Sequence, residues 1–370
     1  MRRRGTRVKI TRVRKTAIAI AAGALLLSGC SSSDSDSAGG AYAGPVQDTP
    51  GTINVLAWPG YAEDGSTDPN VDWVTPFEKE TGCTVNVKTY GTSDEAVQLM
   101  QSGGYDVVSA SGDASLRLIF GGDLQPVNLD LIPNYADVFA NLKDRPWNTI
   151  DGANYGVPHG RGANVLQYTI DKVKPAPDSW SVVWEPNSPL KGKVTAYDSA
   201  IYIADAAVYL MSTKPELAIT DPYALDQTQF DAAMALLKQQ KPLVAEYWAD
   251  YTKYVAAVQA GSIVAGTSWQ VIANVLNGEK STVGAVKPKE GATGWSDTWM
   301  ISKNTEAIDC AYKWLNWIIS PATNAQAAEY FGEAPANSKA CALTASKTHC
   351  ESYHAEETDY WSDVYYWKTP

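Results

Sequence analysis

Histidine is nearly absent from this 370-residue chain, which holds three, and phenylalanine and methionine number only five each. So few histidines leave little material for a hydrolase, which needs a nucleophile, a base and a third, orienting group. The chain also lacks GxSxG, GxxxxGK[ST], HExxH and GxGxxG patterns, so no nucleophile elbow, phosphate loop, zinc-protease helix or dinucleotide turn is implied. The doublet Gly103-Gly104 meets no lysine before Lys143 and therefore makes no phosphate cradle. None of the five cysteines forms a CxxC pair. His159, His349 and His354 show no ligand spacing beyond His349 adjoining Cys350, so neither a metal nor a cofactor is expected. Paired carboxylates remain open to a glycosidase, whose spacing in space a sequence does not give, and an anchored hydrolase stays a minor alternative to a non-enzyme.

Positive charge is outnumbered over most of the chain. Of 30 basic residues, eight (Arg2, Arg3, Arg4, Arg7, Lys9, Arg12, Arg14 and Lys15) fall in the first fifteen positions, where there is no acid. The remainder carries 22 basic against 41 acidic residues, a net charge of −19 in place of the −11 of the whole chain. A surface of that sign repels phosphate backbones and anionic headgroups, which excludes nucleic acid as a partner and leaves membrane contact to a separate anchor. Residues 1–29 supply one. Thr16 to Leu27 is an uncharged apolar run of about a dozen residues, shorter than the roughly 20 that span a bilayer, and reads as the core of a signal peptide. It ends in Leu27-Ser28-Gly29-Cys30, which resembles the bacterial lipobox, in which the cysteine sulfur takes a lipid. An ordinary secretory cleavage site is the plainer alternative. Residues 30–51, rich in Ser, Asp and Gly, are expected to form a tether from a lipidated Cys30, which puts the protein outside the cytoplasm on the outer face of the cell membrane.

Outside the cytoplasm the other four cysteines have access to disulfide chemistry. Cys341 and Cys350 enclose a short polar loop and form one expected pair, with Cys83 and Cys310 as the second; four reduced, buried thiols are the alternative. At 45% hydrophobic and 19% charged, the body is too large for one compact core, and two domains are expected. Thr52 to Trp58, Cys83 to Thr89 and Tyr105 to Val108 read as strands, with helices over 73–81 and 93–101 between them. That alternation predicts an α/β fold with a parallel sheet and a ligand site beyond the carboxyl ends of the strands, at Trp58 to Tyr61, Tyr90 to Ser93 and Ser109 to Asp113. A second unit opens near Tyr155 to Ile170, where Gly160 and Gly162 flank Arg161. Tyr247, Trp248 and Asp250 cluster ahead of a helix and read as packing. With 13 Trp and 20 Tyr, the body has aromatic faces suited to sugars or cations as well as to a core.

Five segments, in this order, resemble the substrate-binding proteins of polyamine-type ABC importers, and the similarity runs over most of Thr52 to Ala340. Val55-Leu56-Ala57-Trp58-Pro59-Gly60-Tyr61 is similar to the family's first strand exit, Phe77-Glu78-Lys79-Glu80-Thr81-Gly82 to its helix end, and Tyr105-Asp106-Val107-Val108-Ser109-Ala110-Ser111 to a second strand exit. Pro288-Lys289-Glu290-Gly291-Ala292-Thr293-Gly294-Trp295-Ser296-Asp297 resembles its P-K-E-G-x-x-x-W-x-D signature, and Ala334-Pro335-Ala336-Asn337 its P-x-N loop. The resemblance implies a periplasmic-binding-protein-like fold of type II, with two lobes of discontinuous sequence around a central cleft. Lobe 1 would take 52–158 and 292–340, lobe 2 would take 159–291, and 341–370 would be an extension packed on them. It also implies hinge closure on a ligand and delivery to a membrane permease. Carried over residue by residue, Trp58, Tyr61, Trp269 and Trp295 would wall an amine's aliphatic chain, and Asp297 would pair its ammonium, with Ser111 beside the strand exit. The family's other acids are missing, replaced by Gly60, Ile201, Tyr202 and Ile272. Glu333 and Asp113 are candidates to restore negative charge, and Arg161 would bring the opposite sign into the cleft. A polyamine or related amine is therefore the expected ligand, with a zwitterion held by Arg161, or a sugar, as alternatives. Ordinary core packing is the plainer reading of the tryptophans, and a solvated surface or a helix cap that of Glu333 and Asp113.

Overall fold

Strand β1 (Gly51–Ala57) is apolar along most of its length because it sits inside a sheet rather than at its edge. The computed structural model describes residues 40–277 and 281–369, so the expected signal peptide and Cys30 lie outside the described residues. β1 pairs in parallel with β2 (Cys83–Thr89) on one side and β3 (Val107–Ala110) on the other. The crossovers are helices α1 (Val74–Thr81) and α2 (Ser93–Ser102), in the order the strand and helix patterning predicts. Gly82 ends α1 at φ +70°, a conformation that favours a residue without a Cβ. The cap of α2 is Thr92, whose hydroxyl accepts the Glu95 N–H at 3.2 Å. Helix α3 (Gly112–Gly121) follows β3 at once, with Ser111 at its N-terminal boundary.

A short hairpin of β4 (Thr149–Ile150) and β5 (Ala153–Asn154) precedes the 14-residue β6 (Gly156–Thr169). Five further strands complete the framework through the signature region: β7 (Val194–Tyr197), β8 (Val244–Trp248), β9 (Ala265–Trp269), β10 (Val283–Val286) and β11 (Ala292–Ile301). β12 (Ala334–Pro335) and β13 (Val364–Tyr366) are short additions. The strand order is β2-β1-β3-β11-β6-β9-β7-β8, with β10 and β12 also pairing with β6 and β13 with β11. Two lobes share β6. Its first half, Gly156 to Ala163, runs antiparallel to β11, and its second half pairs with β9 and β10.

Each lobe has its own core. The first gathers Ile53, Val55, Phe77, Val107 and Leu315 around Trp299 and Trp314, whose rings meet edge to face at 5.6 Å. The second gathers Trp184, Val194, Trp248, Tyr254 and Ile263. Cys83 is joined to Cys310, fastening the start of β2 to the helix Ile308–Ile318, and Cys341 is joined to Cys350. Beyond that loop the chain passes two short helices, His349–Ser352 and Thr358–Trp361, and returns as β13 beside Ala292 to Gly294 of β11. Among the described residues no helix is long and apolar enough to cross a membrane.

Candidate ligand-binding cleft

Three strand ends and one strand face converge where the lobes meet. Trp58 follows β1, Ser111 follows β3, Trp269 closes β9, and Trp295 and Asp297 stand two apart on one face of β11. With Phe331 and Trp367 they line a pocket of about 30 Å³. Two glycines of β6 make room for it. A Cβ on Gly162 would lie 2.3 Å from the Trp295 ring, and one on Gly160 would lie 2.3 Å from the Glu333 carboxyl. Bare backbone there lets both side chains lie across the strand.

Asp297 is buried, and among the described residues the hydrogen bonds to its carboxylate come from two hydroxyls. Ser111 donates to Oδ1 at 2.5 Å and Tyr61 to Oδ2 at 2.8 Å. Tyr61 is itself fully buried and stands behind the pocket rather than in its wall; its hydroxyl also lies 3.0 Å from Glu333 Oε2. A phenol has one proton, so it cannot donate to both acids at once. Burial, followed by the charge of Asp297, drives the Glu333 carboxyl well above the usual range, so at neutral pH Glu333 keeps its proton and donates to Tyr61. Burial pushes Asp297 up only to about 6, because the hydroxyls of Ser111 and Tyr61 oppose it. His159, whose Nε2 is 3.4 Å from Glu333 Oε1, is pushed down by burial to about 3 and stays neutral. The relay Glu333 to Tyr61 to Asp297 thus concentrates one negative charge on the pocket wall.

The other expected site residues lie elsewhere, each for a physical reason. Arg161 alternates on β6 with Gly160 and Gly162, so it faces the opposite side of the strand. There its guanidinium carbon lies 4.1 Å from the Trp361 ring and its Nη2 donates to the Ala355 carbonyl at 2.9 Å; it clamps the C-terminal extension and does not reach the pocket. Glu333 is fully buried behind Tyr61 and supplies no second charge to the pocket. Asp113, whose Oδ1 accepts the Ser93 hydroxyl at 3.2 Å, belongs to a neighbouring opening of about 690 Å³ that also takes in Asp198, Tyr223 and Lys368. Burial raises it to about 6. Trp248 is core, 5.0 Å from Trp269, and Asp250 caps the helix Tyr251–Ala260 through the Thr252 N–H. Phe331 and Trp367 also line the pocket, and Tyr90 packs on Trp58 at 4.5 Å from outside that lining and donates to the Ser109 carbonyl. The strand-exit rule flagged Tyr90, whereas Trp367 belongs to a segment no motif covers.

Residues 72–351 match the bacterial extracellular solute-binding proteins. The chain belongs to that family. Its members are receptors rather than enzymes: they bind small ligands outside the cytoplasm and hand them to an ABC permease. A putrescine-binding periplasmic protein, SpuD, of Pseudomonas aeruginosa is 28% identical over 267 residues, covering 68% of this chain and 70% of its own. A spermidine/putrescine-binding periplasmic protein of Escherichia coli is 25% identical over 260 residues, 69% of this chain and 71% of its own. The crystal structure of the substrate-binding protein PotD from Streptococcus pneumoniae superposes with a TM-score of 0.71 at 18% identity, over 86% of this chain and 93% of that one, a likeness of fold.

Proposed function

We propose that this solute-binding protein is the receptor of an ABC importer for a small organic cation of the polyamine class, tethered outside the cell membrane by a lipid on Cys30. The observation that carries the reading is Asp297, a lone carboxylate held ionised by two hydroxyls among Trp58, Trp269 and Trp295. An ammonium there gains the charge of Asp297 and the faces of the rings, about 0.5 to 2 kcal/mol for each well-placed ring. A zwitterion loses its expected partner, since Arg161 lies on the other side of β6. The names of the curated relatives point to the same ligand class.

In this reading 52–158 with 292–340 form one lobe and 159–291 the other, with 341–370 packed on both, and the lobes close on ligand about β6. The basic leader, the short apolar run and the Leu27-Ser28-Gly29-Cys30 sequence support the anchor. The test is a thermal-shift screen of amines, amino acids and sugars against the chain lacking residues 1–30. A ligand at 100 times its dissociation constant adds about 2.7 kcal/mol of stability. Stabilisation by di- and polyamines alone is expected; stabilisation by sugars alone refutes the cation reading.

A further inference from the structure

One wall of the pocket around Asp297 is the side chain of Trp367. Trp367 is 3% exposed, lies flat on Tyr197 with ring centroids 5.9 Å apart and planes 7° apart, and meets Trp269 edge-on at 6.2 Å. With it in place about 30 Å³ remain, space for roughly two waters and not for a diamine. The segment that carries it is tied to both lobes. On the first, the Trp367 N–H donates to the Gly294 carbonyl at 2.7 Å and the Thr369 hydroxyl to the Asp113 carbonyl at 2.6 Å. On the second, Lys368 pairs with Asp221 at 2.5 Å and the Tyr223 hydroxyl donates to the Tyr365 carbonyl at 3.0 Å. A Cβ on Gly112 would fall 1.9 Å from the Trp367 carbonyl oxygen, so the opening of α3 is shaped to admit this strap.

The strap fills the space without satisfying its chemistry. Among the described residues no cation pairs with Asp297, whose contacts are Ser111 and Tyr61. The indole N–H groups of Trp58, Trp295 and Trp367 itself are buried without an acceptor among the described residues. A plug that leaves the buried carboxylate without a counter-charge gives way to a ligand that supplies one. We propose that Val364 to Thr369 is a displaceable strap whose Trp367 occupies the ligand pocket, so that a cationic solute binds by expelling it. Expulsion joins the Asp297 pocket to the opening that holds Asp113 and Asp198, giving one cleft with acid at both ends.

The proposal rests on the amine reading and is tested so that the two fail separately. Calorimetry with putrescine and spermidine compares the chain from Ser31 with its Trp367→Ala variant and with Lys368→Ala/Thr369→Ala, which cuts two ties at the neighbouring opening and leaves the lining of the Asp297 pocket untouched. Affinity is expected to rise at least tenfold in the first and about threefold in the second. Equal or weaker binding in both variants overturns the strap and makes Trp367 a wall of the ligand site. If none of the three proteins binds an amine, the amine reading fails, and the strap is judged on the free protein labelled with 5-fluorotryptophan. The fluorine resonance lost in Trp367→Phe should resist broadening by a soluble nitroxide; broadening to the extent of an exposed tryptophan overturns occupancy.

Discussion

Replacing Asp297 by Asn removes the charge of the pocket and keeps its shape. Asp297 accepts from Ser111 and Tyr61 and has no other polar partner among the described residues, so its free valence for a ligand is negative. An ammonium brought against Asn meets a neutral amide, and truncating one partner of a buried, hydrogen-bonded charge pair costs about 2 to 5 kcal/mol, or roughly 30-fold to several thousand-fold in affinity. The paired control is Glu333→Gln. Because burial already keeps Glu333 protonated, the neutral isostere changes no charge and still donates to Tyr61, so affinity should stay within about threefold. The pH dependence follows from the same assignment. With Asp297 near 6, amine affinity should be constant above pH 7 and fall toward tenfold per unit well below 6, and Asp297→Asn should flatten that profile. Calorimetry between pH 5 and 8 reads all three quantities. Unchanged affinity in Asp297→Asn, or a loss in Glu333→Gln equal to that of Asp297→Asn, refutes the relay.

Asp205 is buried in the second lobe with the Thr293 hydroxyl as its partner, and burial pushes it up to about 7. The native state therefore holds a proton that the unfolded chain loses near pH 4, so this residue's contribution to stability falls as pH rises from about 4 to about 7. Asp205→Asn should gain on the parent protein by roughly 3 to 4 kcal/mol between pH 4 and 8, measured by urea unfolding; a constant difference contradicts the burial. Opening Cys83–Cys310, 227 residues apart, should cost about 5 kcal/mol, against about 3 kcal/mol for Cys341–Cys350, 9 apart, and calorimetric melting of the two serine variants checks the order. Cys30→Ala should abolish labelling by a fatty acid analogue; equal labelling of the variant removes the anchor.

Local sequence was enough for the strand and helix order of the first lobe. Apolar and alternating runs are read within a few residues of themselves. The strand-exit rule and the Trp295-x-Asp297 spacing likewise placed Trp58, Ser111 and Asp297 at one pocket, since period-two geometry puts 295 and 297 on one face. Alternation also put Arg161 opposite Gly160 and Gly162, but which side of β6 faces the cleft depends on β11 and β9 packing beside it. The roles of Tyr61 and Glu333 needed three dimensions, because they turn on two acids 36 residues apart meeting one buried hydroxyl, and protonation follows burial rather than residue type. Trp367 is the extreme case: it lies 72 residues beyond Trp295 in sequence, and only the return of β13 along β11 brings its ring into the same pocket. Sequence determines which residues can carry the charge and the rings; the long-range pairing of strands decides which of them share a cavity.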